Sequence, residues 1–519
     1  MKKSTALALA VATLTGAAIA QEAPVTSEAL ESVKAKAEAT TAKAADAQNK
    51  AMQADAKAAE AEAAAKDAES KITAVSEKTD AVQGKVDGLE EDYLETKSTV
   101  AALAKIKVSG FIQARYEYGA DTGIIDSKNP PLQGRFTVKR GRVSVGSEGT
   151  LGDFLVTTQY AEDGIKLIDA YGSAYDPWKV VKARMGVQTI PFGYEINAST
   201  PKMDNLERSL FEQSVFNGEK DLGAVLFLNY NEGAFQYIDF KAGVLNGNMN
   251  VVGIPVLGTA ENGVSQAAFD DGKAYTGRLG FKAPIKDLNM EIDGGVSEYY
   301  AVYTSQNDTV FDFAGQLSNT SSTSHISTGN VRNDLHKQIA GADLQAYFNV
   351  LPIGGTVLRG EFYTGTNVSI SGNKPFDPWS EALNTSNATG TDNSYVTSNK
   401  AYVKDVMGWY ATLVQNFGKS FQGVVRFEQF DPNTDVSGAQ IGNGKGNGGS
   451  LLNTSKDDIE WSMLEVGVNY FLSGNVKLSL DYDHKINETS ANATGSSTIT
   501  DYNGQIQNDK YTFQLQYMF

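Results

Sequence analysis

The chain of 519 residues contains no cysteine, which rules out disulfide staples and thiolate chemistry together. It has three histidines, His325, His336 and His484, and their spacing matches neither a metal site nor a catalytic imidazole. No grouping of serine, histidine and acid suggests a nucleophilic enzyme, so no catalytic residue, cofactor or metal is expected. The glycine-rich run at residues 442–450 lacks the strand-to-helix context of a phosphate loop, and the acidic residues at 431–435 lack the ligand spacing of a calcium loop. After the first twenty residues no stretch is long and apolar enough for a membrane-spanning helix. Mean hydropathy is −0.30, yet this does not exclude membrane strands, which alternate lipid-facing with water-facing residues and stay polar on average. The net charge of −17 argues against nucleic acid as a partner.

What is present divides into three parts. Residues 1–20 combine Lys2-Lys3, a small apolar run and Ala18-Ile19-Ala20, the pattern of a secretory signal peptide. Residues 21–104 carry 10 basic and 17 acidic residues and a single aromatic, Tyr93. Alternate steps of three and four from Leu30 and Val33 run through Ala44, Ala58, Ile72, Val86 and Val100 to Leu103 without a slip. A strict 3.5-residue period keeps one seam facing partner helices and predicts a left-handed coiled coil. Alanine buries little area, so association has to stabilise the rod, and a three-helix form would suit a trimeric assembly. Gly84 and Gly88 weaken the helix near its end and make a bend plausible there.

From residue 105 to 519 the period changes to two. Ile106, Val108, Ile112, Ala114, Tyr116 and Tyr118 fall on one face, with Lys107, Ser109, Gln113, Arg115 and Glu117 on the other and Phe111 as the exception. Fifteen further segments of this kind follow, near residues 132–146, 151–161, 165–175, 180–188, 219–231, 234–246, 273–283, 287–301, 336–349, 354–365, 404–417, 420–430, 458–472, 475–486 and 510–519. Their connections alternate between short turns and long loops rich in Ser, Thr, Asn and Gly, apart from a short link near residues 162–164. Sixteen antiparallel strands with this alternation predict an all-β transmembrane barrel of the outer-membrane type, preceded by the coiled coil, with both barrel ends on the short-turn, periplasmic side. The last strand alternates Tyr511, Phe513, Leu515, Tyr517 and Phe519 with Thr512, Gln514 and Gln516, and would aggregate as a soluble edge.

Ile190-Pro191-Phe192-Gly193, Glu195, residues 206–210 (L-E-R-S-L) and Asp221-Leu222-Gly223 resemble the phosphate-selective porins (porins O and P) of bacterial outer membranes, over roughly residues 108–230. The resemblance implies that residues 186–210, after the fifth strand, fold into the lumen as a constriction. Parity places Arg115, Lys182 and Arg184 toward the lumen, and a bulge near Gly141 is expected to re-aim Arg140 and Arg142. The loop would set Glu195, Asp204 and Glu207, with Lys202 and Arg208, against that basic wall and produce a transverse field. Glu207 and Arg208 could equally form an ion pair that anchors the loop.

The expected function is passive diffusion of ions and small hydrophilic solutes through a homotrimer in outer-membrane lipid. The loop is less basic than the resemblance implies, and with an acidic barrel this leans toward cations. Alternatives are a phosphate or anion-selective channel, and a structural tether that reaches the cell wall through the coiled coil.

Overall fold

The computed structural model describes residues 27–519 except 104, 121–131, 163, 179, 217–218, 229–236, 248–271, 305–308, 313–325, 328–333, 350, 371–399, 442–457, 491–499 and 507. The signal segment, His325 and the glycine-rich run at 442–450 therefore lie outside the described residues. The chain separates into two compact units, divided between Ala101 and Ala102.

The described part of the first unit is a single helix, α1 (Ser27–Leu103), of 77 residues, whose last two residues fall beyond the division. It continues without a break through Gly84 and Gly88. Its seam residues stand exposed, with Leu30 and Ile72 each at 69%. Three ion pairs one turn apart, Lys50–Asp46, Lys66–Glu62 and Lys71–Asp67, line its polar faces. No helix among the described residues is long and apolar enough to cross a membrane.

The second unit is a closed antiparallel barrel of sixteen strands. Its first half comprises β1 (Ile106–Ala120), β2 (Leu132–Glu148), β3 (Gly152–Ala161), β4 (Gly164–Tyr175), β5 (Val181–Thr189), β6 (Lys220–Leu228), β7 (Ile238–Leu245) and β8 (Ala274–Ile285). The second half comprises β9 (Met290–Thr304), β10 (Asp334–Phe348), β11 (Thr356–Ile370), β12 (Lys400–Phe417), β13 (Phe421–Asp431), β14 (Trp461–Phe471), β15 (Val476–Asn487) and β16 (Lys510–Met518). Each strand pairs with its sequence neighbour, and β16 closes on β1 with Tyr517 opposite Ile112 and Phe513 opposite Tyr116. Phe519 extends the seam by exchanging two backbone hydrogen bonds of 3.0 Å with Gly110. Closure leaves none of the sixteen barrel strands at an edge, which satisfies the backbone groups that hydrocarbon cannot.

The period-two pattern has a direct physical outcome. Val425, Phe427, Val466, Val468, Leu480, Phe513 and Leu515 point outward and are exposed, whereas Arg426, Glu428, Glu465, Asp481, Thr512 and Gln514 point inward and are buried. An apolar outer belt around a polar interior is the arrangement required by a barrel that spans a bilayer. Phe111 faces inward with Gln113, Arg115 and Glu117. The register slips between Gln113 and Ala114, opposite Arg140 and Val138, so Lys139 is the extra residue of the bulge. The bulge thus lies two positions before Gly141, and it turns Arg140 and Arg142 toward the interior. Two short strands absent from the periodicity, Thr309–Asp312 and Ile326–Ser327, lie in the connection after β9, and the first pairs parallel with the start of β12.

Candidate functional site: the loop inside the barrel

Residues 190–219 join β5 to β6, and the sequence pattern there mixes two kinds of residue with two kinds of partner. The apolar ones, Ile190, Phe192, Ile196, Leu210, Phe211, Val215 and Phe216, are at most 2% exposed and pack on inward-facing wall residues. Phe211 stacks on Tyr363 of β11 at 4.4 Å and meets Phe430 of β13 edge-on at 5.7 Å. Phe216 lies 4.7 Å from Phe192 and meets Tyr299 of β9 edge-on at 5.4 Å. Offset and edge-to-face aromatic pairs contribute about 0.5–1.5 kcal/mol each beyond their area. The loop and the inner wall therefore share a hydrophobic core, which the polar average of the sequence conceals.

Glycines on the wall make room for these rings. A Cβ on Gly408 of β12 would stand 2.8 Å from Phe211, and one on Gly341 of β10 would stand 2.9 Å from Phe192. Replacing Gly408 by valine is expected to displace Phe211 and cost about 1–3 kcal/mol through overpacking. Gly277, whose added Cβ would find only the Lys241 carbonyl at 3.6 Å, is the control, since its alanine variant should leave the thermal midpoint of the barrel in detergent unchanged. Equal midpoints for both variants would remove the socket argument. Gly193 turns the loop at φ 57, and its N–H donates to Ser297 Oγ at 3.0 Å.

The polar residues of the loop are held by wall side chains from strand after strand. Glu361 of β11 accepts from the backbone N–H groups of Tyr194 and Glu195, the latter at 3.0 Å. Arg426 of β13 is fully buried and donates to Glu195 Oε1 and to the Glu207 carbonyl, both at 3.1 Å. It also lies 2.7 Å from Glu465 of β14 and 3.7 Å from Glu428. Glu428 in turn accepts from Leu210 N–H at 3.1 Å, at the start of the six-residue helix α2 (Leu210–Val215). Lys337 of β10 donates to the Val215 carbonyl at 2.6 Å, at the other end of that helix. Further bonds run from Thr276 of β8 to the Pro191 carbonyl, Asn469 of β14 to the Asp204 carbonyl, Lys477 of β15 to the Met203 carbonyl and Gln516 of β16 to the Pro201 carbonyl, at 2.8–3.2 Å. The loop is thus bonded to β1, β2, β8–β11 and β13–β16.

The acidic residues named from the sequence are all paired. Glu195 meets Arg426, and Asp204 meets Arg359 of β11 at 3.0 Å. Glu207 meets Arg115 of β1, Arg140 of β2 at 3.1 Å and Lys139 at 3.3 Å. Burial would push the Glu207 carboxyl up, but Arg115, Lys139, Arg140 and Lys510 together hold it well below the usual carboxylate range. Glu212 goes the other way, pushed well above that range by burial and by Glu195 and Glu361, and it accepts from the Tyr363 hydroxyl at 2.9 Å. Glu207 and Arg208 do not pair with each other. Arg208 binds Glu219 and the Ala198 carbonyl within the loop, at 2.7 and 3.1 Å through Nη2, so it anchors the loop's two arms together.

The basic residues differ in the kind of partner they meet. Arg115 and Arg140 are locked to Glu207. Arg142 contacts only neutral oxygens, Gln159 Oε1 at 2.8 Å and Thr200 Oγ1 at 3.2 Å, with its guanidinium 5.8 Å from the Phe111 ring. Arg184 sits 3.9 Å over Tyr171 and 4.9 Å from Phe227, and donates to Ser173 Oγ at 3.3 Å. Among the described residues neither has a carboxylate within ion-pair distance. Lys182 lies 4.8 Å over Phe227, and Lys202 stands exposed on the loop.

Lys139, Lys337, Arg359, Glu361, Arg426 and Glu428 escaped the sequence reading. A signal for four of them was present, because Arg359 and Glu361 alternate with Leu358 and Phe362, and Arg426 and Glu428 with Val425 and Phe427. Charged residues two apart on the inward face of a lipid-exposed strand have only the lumen in which to find partners.

No protein-family model matches the chain, and no curated protein matches it. Solved structures with a similar chain path include OprB of Pseudomonas putida, at 10% identity and TM-score 0.49 over 82% of this chain and 97% of that one. The anion-selective porin of Comamonas acidovorans aligns at 9% identity and TM-score 0.44 over 80% and 99%. The outer membrane channel DcaP of Acinetobacter baumannii aligns at 11% identity and TM-score 0.42 over 80% and 97%. The chain's own register and facing define a closed sixteen-stranded transmembrane barrel with one long connection bonded to its inner wall.

Proposed function

We propose that the protein is an outer-membrane porin that passes ions and small hydrophilic solutes by diffusion, with residues 190–219 as its constriction. The observation that carries this reading is the anchoring of one loop to ten wall strands inside a closed barrel. Such a loop narrows a sixteen-strand lumen without sealing it by a moving part, so passage needs no energy input. The loop's bonds go to β1, β2, β8–β11 and β13–β16, and Val225 of β6 and Leu245 of β7 belong to its apolar core, which leaves the wall around β3–β5 as the side for a water-filled path. The resemblance of residues 190–223 to the phosphate-selective porins supports the same class, and a homotrimer in outer-membrane lipid fits it.

A second reading within this class, anion preference, has its own support. Glu195, Asp204 and Glu207 are neutralised by wall cations, so they leave no acidic ring for a cation to follow. Arg142 and Arg184, held by neutral oxygens and aromatic faces, keep their charge for a passing anion. The lean toward cations that overall composition suggests is thereby reversed in this reading.

The deciding measurement is current through the purified full chain in planar bilayers, under a KCl gradient with and without added phosphate. Absence of conductance would remove the porin reading. Cation preference with no phosphate block would remove the anion reading alone. The tether reading rests on α1, whose 77 residues span about 115 Å at 1.5 Å each and would reach from the outer membrane toward the cell wall. Deleting residues 30–103 tests it, since unchanged envelope integrity would sink the idea.

A further inference from the structure

The exposed seam of α1 needs a partner, and the charges beside the seam identify one. With Leu30 at heptad position a and Val33 at d, the g column reads Lys36, Lys43, Lys50, Lys57, then Lys71, Lys78 and Lys85, broken by Ala64 and followed by Asp92 and Thr99. The e column is different, with Lys34 at its start, Asp55, Glu62, Glu69 and Glu90 before Lys97, and Thr41, Gln48, Ser76 and Gln83 as neutral acceptors, and Lys34 falls opposite the uncharged Ala29. In a parallel, in-register assembly each g residue faces the e residue five positions later on the neighbouring helix. That rule matches Lys50 with Asp55, Lys57 with Glu62, Lys85 with Glu90 and Asp92 with Lys97, and it places no like charges opposite one another. An antiparallel assembly sets g against g, so the lysine columns of two chains would confront each other.

We infer that α1 docks along its whole seam with further copies of this chain, parallel and in register, through matched g and e charges. The inference rests on the proposed homo-oligomer and adds the orientation, the register and the surface used. Leu30, Val33, Ile72, Val75, Val82 and Leu89, each 59–69% exposed in the single chain, supply the apolar burial at the two ends. The alanine middle, from Ala44 to Ala68, lets helices approach closely there, so charge pairs beside it have the shortest distance to span. The intrahelical pairs Lys50–Asp46 and Lys66–Glu62 are largely exposed and therefore weak competitors for those side chains.

The absence of native cysteine makes the test clean. Val33→Cys, Ala54→Cys and Val82→Cys each place one thiol at d, where parallel, in-register copies bring it to its own equivalent, while Ala56→Cys at f points away. Oxidation of each purified full-length variant with copper phenanthroline, read by non-reducing gel, is expected to cross-link the three d variants at least tenfold faster than Ala56→Cys. Adding Lys50→Glu with Lys57→Glu should slow Ala54→Cys cross-linking about tenfold. Adding Asp55→Lys with Glu62→Lys to that chain should restore it.

Cross-links between Val33→Cys and Val82→Cys chains only when mixed would show antiparallel packing and overturn the inference. Failure of all three d variants, in a protein that native mass spectrometry finds oligomeric, would give the seam to another partner. That result overturns the inference while the homo-oligomer stands, whereas a monomeric mass removes both.

Discussion

Arg426→Met is expected to release the loop from the barrel wall and to raise single-channel conductance several-fold, with a noisier open state. Arg426 is fully buried and meets Glu195 of the loop together with Glu428 and Glu465 of the wall, besides the Glu207 carbonyl. Removing one partner of a buried ion pair strands the others, at a cost of about 3–5 kcal/mol. Glu428 keeps the Leu210 N–H and Glu195 keeps the Ser209 N–H, but the carboxylates lose their shared cation, and water can replace it only if residues 195–210 move away from β13. Glu195→Gln in the same chain should recover part of the wild-type conductance, because it removes one of the stranded charges. Planar-bilayer recordings of the three proteins check this. Identical conductance in all of them would show that the hydrophobic seat of Phe192, Phe211 and Phe216 holds the loop without the arginine.

Replacing both Arg142 and Arg184 by glutamate is expected to change the sign of the zero-current potential in a tenfold KCl gradient. These two cations have no carboxylate partner among the described residues, so the substitution alters the field in the lumen without breaking an existing ion pair. Arg115 makes the contrasting control. It is locked to Glu207, Gln514 and the Leu206 carbonyl, so Arg115→Met should disturb loop seating and thermal stability more than selectivity. An unchanged potential in the double variant would separate Arg142 and Arg184 from the permeation path. It would also remove the main support for anion preference.

The difference between these two arginine classes is invisible along the chain. Arg115, Arg142 and Arg184 each alternate with apolar neighbours, and period two says only that they face away from lipid. Their role depends on which loop residue lies across the lumen, and that depends on closure of the ring. Arg426 and Glu195 are 231 positions apart and meet only because β13 comes round to face the connection after β5.

Much of the architecture, by contrast, follows from local chemistry. Alternation between lipid and water imposes a two-residue period wherever a strand crosses, and it is legible from Ile106–Tyr118 to Tyr511–Phe519. The long helix is equally legible, since alanine favours helix and a 3.5-residue seam persists to Leu103. The bulge was detectable as a change of parity between Val138 and Val143, although its position at Lys139 came from the register with β1.

The number of strands, their facing, the helix and the charge columns beside its seam are all legible along the chain, because each is written at spacings of two or seven residues. Ring closure settles which charges cancel, that the loop's rings share a hydrophobic core with the wall beside Gly341 and Gly408, and that Glu195, Asp204 and Glu207 anchor the loop. Those outcomes are contacts across a closed ring, and no local spacing encodes the residue on the opposite wall.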